Sequence, residues 1–283
     1  MVIFATMSRM YRFIRRARDI FQCPHYVYFI TAAVLVIALL LYSQGVVDRV
    51  REDIAFALSP SAQRAYEYGN TNFSGQNPRQ YDLKRAEMWF EEALRLDPTL
   101  RGVHHQLARV SFLKGDFTKA MERINTEINL PSGPISPSSY YIRGLIEGYM
   151  GNYANSANDY EKYLESDPNN WAALNDLAWV LLKGQKFEEA ADVTARGLKY
   201  SPDNPWLLNS SATAFFELGR YDEALAQATK AQSAVAGLSE KQWLTAYPGN
   251  DPRVARTGIA TFQKAVGDNI HAIMMKIASS TVQ

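Results

Sequence analysis

Leu174-Asn175-Asp176-Leu177-Ala178 and Phe187-Glu188-Glu189-Ala190, closed by Tyr200-Ser201-Pro202-Asp203, are the segments from which the rest of the chain becomes readable. Their landmarks recur. Pro168 and Pro202 are 34 residues apart, as are Tyr153, Phe187 and Tyr221, Ala190 and Ala224, and Ala86 and Ala120. A fixed interval of this size marks stacked helical or mixed units that bury a shared core. Leu208, Ala212, Phe215, Gly219, Tyr221, Ala224 and Ala231 carry the pattern into the following unit. Ala108, Gly144, Ala178 and Ala212 on a first helix, with Ala120, Ala190 and Ala224 on a second, let two backbones approach closely. Gly115, Gly151 and Gly219 suit a helix C-terminus, where φ turns positive. Phe117, Tyr153, Phe187 and Tyr221 open second helices as apolar wedges. Asp97-Pro98, Asp167-Pro168 and Ser201-Pro202 end units, because proline lacks a donor and disfavours helix in the residue before it.

These residues resemble the tetratricopeptide-repeat (TPR) family. The resemblance implies an all-α fold, a right-handed superhelix of antiparallel helix pairs. Five units are expected, at about 61–98, 101–130, 137–168, 171–202 and 205–234. Insertions at 70–80 and 131–136, rich in Gly, Pro and polar residues, lengthen two connections. In the third unit Arg143 and Glu147 replace apolar residues usual in the family; one turn apart, they read as a solvated pair. After 234, Tyr247-Pro248-Gly249-Asn250 forms a turn. Ala255, Ile259, Phe262, Val266, Ile270, Ile273 and Ile277 then make one apolar stripe at helical steps. A repeat array exposes its last apolar face and needs a terminal cap. The stripe is expected to supply it, with occupation of the chain's own groove or self-association as alternatives.

The other end of the chain reads differently. Arg9, Arg12, Arg15, Arg16 and Arg18 against Asp19 give 1–25 a formal charge of +4, so the remainder carries −3 of the overall +1. No charged residue falls between Tyr26 and Val47. About 20 such residues span a bilayer core of about 30 Å. The expected layout is a basic cytoplasmic segment (1–25), a transmembrane signal anchor (26–47), a helical stalk (48–60), the TPR domain (61–234) and C-terminal capping helices (235–283). Lys/Arg bias keeps the N-terminus cytoplasmic, placing the repeats outside the cytoplasm. A bacterial inner membrane with a periplasmic domain is expected, the mitochondrial inner membrane being the alternative. The single cysteine, Cys23, excludes a disulfide framework and any Cys-rich metal site.

No phosphate-binding Gly loop, nucleophile elbow or His-Glu-x-x-His pattern occurs. Adjacent His104 and His105 diverge by about 100° on a helix. Without a basic stripe, nucleic-acid binding is set aside. The reading is therefore not an enzyme: no catalytic residues, no metal site, no cofactor and no small-molecule substrate. What the TPR resemblance implies is binding of a protein or peptide partner in a concave groove lined by first helices. Carried over unit by unit, the groove positions are Tyr141, Leu145 and Tyr149; Asn175, Trp179 and Leu182; and Asn209, Thr213 and Phe216. The family's carboxylate-clamp members hold a C-terminal carboxylate with Lys, Arg and Asn. Here basic groove residues are sparse, chiefly Arg109 and Lys183, so an apolar or amphipathic segment burying Trp179 and Phe216 is expected. The function implied is a membrane-anchored interaction scaffold or chaperone-like assembly factor, the alternative being a permanent structural subunit of a membrane-associated complex.

Overall fold

The computed structural model describes residues 24–74, 79–246 and 250–280; within α1, the side chains of 24–26, 38 and 40–46 also lie outside the description. The five N-terminal arginines, Cys23 and most of the 247–250 turn therefore fall outside the described residues. The chain divides into two units, 1–59 and 60–283. In the first, a single helix α1 (Pro24–Leu58) runs through both the apolar stretch and the segment read as a stalk. Its outer surface carries Tyr28, Phe29, Val34, Leu35 and Leu39, all exposed. Among the described residues no helix is long and apolar enough to cross a membrane; the undescribed side chains at 38 and 40–46 fall in the second half of the uncharged 26–47 run.

The second unit is a succession of helical hairpins: α2 (Ala62–Phe73) with α3 (Leu83–Leu96), α4 (Val103–Leu113) with α5 (Phe117–Asn129), α6 (Pro137–Tyr149) with α7 (Tyr153–Leu164), α8 (Trp171–Lys183) with α9 (Phe187–Tyr200), and α10 (Pro205–Glu217) with α11 (Tyr221–Ala236). α12 (Glu240–Ala246), a 3-10 turn and α13 (Ala255–Ser280) follow. Helix starts are fixed locally. The side chains of Ser61, Asp82, Asp116, Asn170 and Asn204 accept hydrogen bonds from the amides of Arg64, Arg85, Lys119, Ala173 and Leu207 at 3.0–3.2 Å. Each such cap stabilises its helix by about 1 kcal/mol. Pro137 and Pro205 occupy first-turn positions where no amide donor is needed.

Small residues set the crossing within each hairpin. Ala108, Ala120, Ala178, Ala190, Ala212 and Ala224 are all 0% exposed. In the third hairpin the equivalent pair touches directly: the buried Ser156 hydroxyl donates to the Gly144 carbonyl at 2.6 Å. A Cβ on Gly144 would lie 3.2 Å from the Ser156 carbonyl oxygen. Leu174, Leu177, Tyr160 and Leu207 belong to one cluster that runs through three hairpins, so no hairpin buries its apolar face alone.

Two expectations change in detail. The first inserted connection starts later than 70, since α2 remains helical through Phe73. Arg143 does not pair with Glu147: its guanidinium makes two bonds, 2.6 and 2.8 Å, to the buried carboxylate of Asp159 on α7. The Asp159 carboxylate meets the guanidinium fork with both oxygens, a stronger arrangement than a pair with Glu147 one turn away on the same helix would allow. The 131–136 insertion is held by Arg101, which donates to the carbonyls of Glu127, Leu130, Ser132 and Gly133. Glu127, itself buried, accepts from the amides of Gly102 and His105 and so serves as an N-terminal cap for α4.

The apolar stripe of α13 lies on the last hairpin. Val266 packs with Leu208, Ala231 and Val235, and Ile273 packs with Ala212, Ala224 and Ala228.

One hairpin departs from the glycine pattern. Gly115, Gly151 and Gly219 have φ of +77°, +84° and +73°, but the corresponding position in the fourth hairpin is Gln185, at +59°. All four amides donate to the carbonyl three residues back, at 2.9–3.1 Å. A side chain in this region costs roughly 1–2 kcal/mol, partly offset by the extra unfolded-state freedom of glycine. Gln185→Gly is therefore expected to raise stability by about 0.5–1 kcal/mol, and Gly219→Gln to lower it comparably, in urea denaturation followed by circular dichroism. A midpoint unchanged or lowered by Gln185→Gly would contradict this.

Candidate binding groove

The first helices of the second to fifth hairpins lie side by side, and polar side chains stitch them at one-repeat steps. The Tyr141 hydroxyl donates to Asp176 at 2.5 Å, and the Ser210 hydroxyl donates to Asn175 at 2.9 Å. Asn269 of α13 continues the series by donating to Asn209 at 2.9 Å. Over this floor opens a cavity of about 400 Å³.

Two banks of rings wall the cavity. On one, Tyr149 stands perpendicular to Phe112, with centroids 5.0 Å apart, and 5.3 Å from Trp179. Gly148 makes that approach possible, because a Cβ there would come within 2.8 Å of the Trp179 ring. On the other, Trp206 stacks on Trp171 at 5.1 Å and on Phe262 at 5.6 Å. Phe73 closes a further side beneath Arg109, whose guanidinium lies 4.5 Å from its ring centroid. Ala246, Asn250 and Phe262, all beyond the fifth hairpin, also line the cavity.

Of the nine positions carried over from the sequence pattern, Tyr141, Leu145, Tyr149, Asn175, Trp179 and Asn209 line this cavity. Leu182, Thr213 and Phe216 do not. Leu182 packs on the central core cluster. Thr213 turns its hydroxyl to the Asn209 carbonyl at 3.0 Å. Phe216 lies against the Ala212, Ala224 and Ile273 cluster and Tyr221, because α13 covers the end of the array. Trp171, Trp206 and Asp176 line the cavity without having been assigned to it. Among the described residues no group of three or more His, Cys, Asp or Glu side chains is placed to hold a metal ion.

A tetratricopeptide-repeat family profile matches residues 143–205 and 176–239. Residues 143–239 are tetratricopeptide repeats. Human tetratricopeptide repeat protein 6 is 25% identical over 150 residues, 52% of this chain and only 28% of that relative's length. Among solved structures, YrrB, described as a TPR protein with an unusual peptide-binding site, superposes with a TM-score of 0.54 at 14% identity, covering 66% of this chain and 93% of YrrB. MamA of AMB-1 gives 0.53 at 20% identity, covering 62% of this chain and 99% of MamA. At these identities the structural likeness is one of fold.

The electrostatics of this TPR groove centre on Asp176. It keeps some accessible surface, yet burial pushes its carboxyl up to about 6, against the lowering effect of bonds from Tyr141 and Asn175. Both donors are neutral. Tyr141, Tyr149 and Tyr160 are raised in turn, by burial first and then by Asp176, so the phenols remain protonated throughout the neutral range. Burial also lowers the Arg109 guanidinium, which stays charged. Outside this cluster His105, against Ser139, is held down to about 4 by burial.

The linkage has opposite signs at the two sites. An acid whose folded value exceeds its unfolded one destabilises the ionised fold; that penalty is full above about pH 6 and gone below about 4. A histidine held neutral does the reverse, losing stability as pH falls from about 6.5 to 4. The difference between Asp176→Asn and the parent isolates the first. That variant is expected to be more stable by on the order of 1–2 kcal/mol at pH 7.5, with the gain shrinking to nothing near pH 4. Urea titrations at both pH values check this, and equal stability at pH 7.5 would refute it.

Proposed function

We propose that this TPR protein is a membrane-anchored scaffold or assembly factor that holds a peptide or partner helix against the rings of its inner groove. The observation that carries the reading is the cavity bounded by Tyr149, Trp179, Trp171 and Trp206. Aromatic side chains supply large contact area at low entropic cost and dominate the energetics of protein interfaces. Here they form concave walls over a floor stitched by the repeat-to-repeat bonds of Tyr141 with Asp176 and Ser210 with Asn175. The peptide-binding description of YrrB is in keeping with such a role, at the level of fold. α13 packs against both helices of the last hairpin and adds only Phe262 to the cavity lining, which leaves the space available to another chain.

The anchor rests on the uncharged run from Tyr26 to Val47 and on the arginines that precede it. In this reading the N-terminus is cytoplasmic and the repeats work on the other side of the membrane, a bacterial inner membrane being the favoured setting.

Substitution of Tyr149 and Trp179 by alanine together is expected to weaken partner capture at least about 30-fold, the equivalent of about 2 kcal/mol, with helical content unchanged. Crosslinking in intact membranes, quantified by mass spectrometry, reads the effect; undiminished capture by the folded variant would end the groove reading. Separately, proteinase added to the cytoplasmic face of sealed inverted vesicles is expected to leave 61–283 intact. Digestion of the repeats there would reverse the orientation.

A further inference from the structure

The groove contains a charge that the chain itself does not neutralise. Asp176 projects from α8 one turn before Trp179 on the same helix face, and both line the cavity. Its carboxylate receives the Tyr141 hydroxyl and, at 3.4 Å, the Asn175 amide. An ionised carboxylate has about four acceptor sites, so part of its capacity faces the cavity unused. Among the described residues no lysine, arginine or histidine lies within ion-pair distance of it. Arg109 lines the same cavity but is engaged by the Phe73 ring and the Gln106 side chain. A carboxylate removed from water without a counter-charge is costly, and above the pH at which it takes up a proton a nearby cation offsets that cost.

The surrounding rings favour the same sign of charge. Tyr149, Trp171, Trp179 and Trp206 share the cavity with Asp176, and the faces of such rings attract cations, tryptophan most strongly. An acidic side chain brought to this part of the groove would meet the carboxylate and the electron-rich faces together. Resting on the groove reading above, we propose that the segment bound there is a peptide of a partner protein that presents a basic side chain, lysine or arginine, seated between the aromatic walls with Asp176 as its counter-ion and apolar neighbours on the rings. The buried carboxylate then has a reason to be present, since it disfavours the empty groove and is neutralised when the partner arrives. The raised Asp176 carboxyl is a consequence of the same arrangement.

The test uses the full-length chain in lipid nanodiscs as bait for a random heptapeptide display library at pH 7.5. Parent, Asp176→Asn, Asp176→Ser and Trp179→Ala proteins are compared, after circular dichroism has confirmed equal helicity. Peptides recovered by the parent are expected to be enriched at least about tenfold in Lys or Arg over Asp or Glu, beside aromatic or aliphatic residues. Both Asp176 variants are expected to lose the basic preference, and two variants guard against a fold defect in either. Enrichment of acidic residues, or a basic preference that survives both variants, would overturn the proposal while leaving the groove in place. Peptides recovered equally by parent and Trp179→Ala would overturn the groove reading and this proposal with it.

Discussion

Everything in this domain depends on how closely the two helices of each hairpin approach at one crossing point. Ala108 with Ala120, Gly144 with Ser156, Ala178 with Ala190, and Ala212 with Ala224 are each twelve residues apart, and these alanines and Ser156 are fully buried. In the third hairpin the contact is a hydrogen bond between the two positions. Larger side chains would force the helices apart, and a well-packed core answers such insertion with strain of about 1–3 kcal/mol rather than with smooth expansion. Because the crossing recurs, the hairpins stack in register, and a cluster such as that of Leu174, Leu177, Tyr160 and Leu207 extends from one unit to the next.

The groove follows from that register. First helices placed side by side bring residues 34 to 36 apart in sequence within hydrogen-bonding distance: Asn70 with Gln106, His105 with Ser139, Tyr141 with Asp176, and Asn175 with Ser210. The same geometry gathers Phe112, Tyr149 and Trp179 from three hairpins into one wall. Fold and binding surface are therefore not separable here. A change that splays one hairpin also dismantles part of the floor, while the rim, where Tyr149 is 56% exposed, can vary with little effect on the core.

Much of this was legible in the sequence because the repeat period acts over short distances. Alanines, wedge aromatics and terminal prolines located the hairpins, and their spacing placed Tyr141, Leu145, Tyr149, Asn175, Trp179 and Asn209 on the cavity lining. What escaped lies where periodicity stops informing. Trp171 and Trp206 sit at the first turn of their helices, beside capping Asn170 and Asn204, where helix-face arithmetic has barely begun. Asp176 follows Asn175 and resembles any solvated acid until Tyr141 is found above it. Phe216 obeys the repeat but is covered by α13, whose docking belongs to no repeat. Gln185 holds a left-handed position that three glycines had marked, a substitution whose conformation only coordinates reveal.

The tryptophans offer the most direct measurement of this dependence, since Trp171, Trp179 and Trp206 report the groove while Ala178 governs a crossing. Near-ultraviolet circular dichroism of Ala178→Leu, compared with Ala195→Leu at an exposed site of α9, separates the two. The account predicts that leucine at 178 strongly diminishes the aromatic signal and that leucine at 195 leaves it intact. An aromatic signal unaltered by Ala178→Leu would contradict the claim that close helix crossing builds the groove.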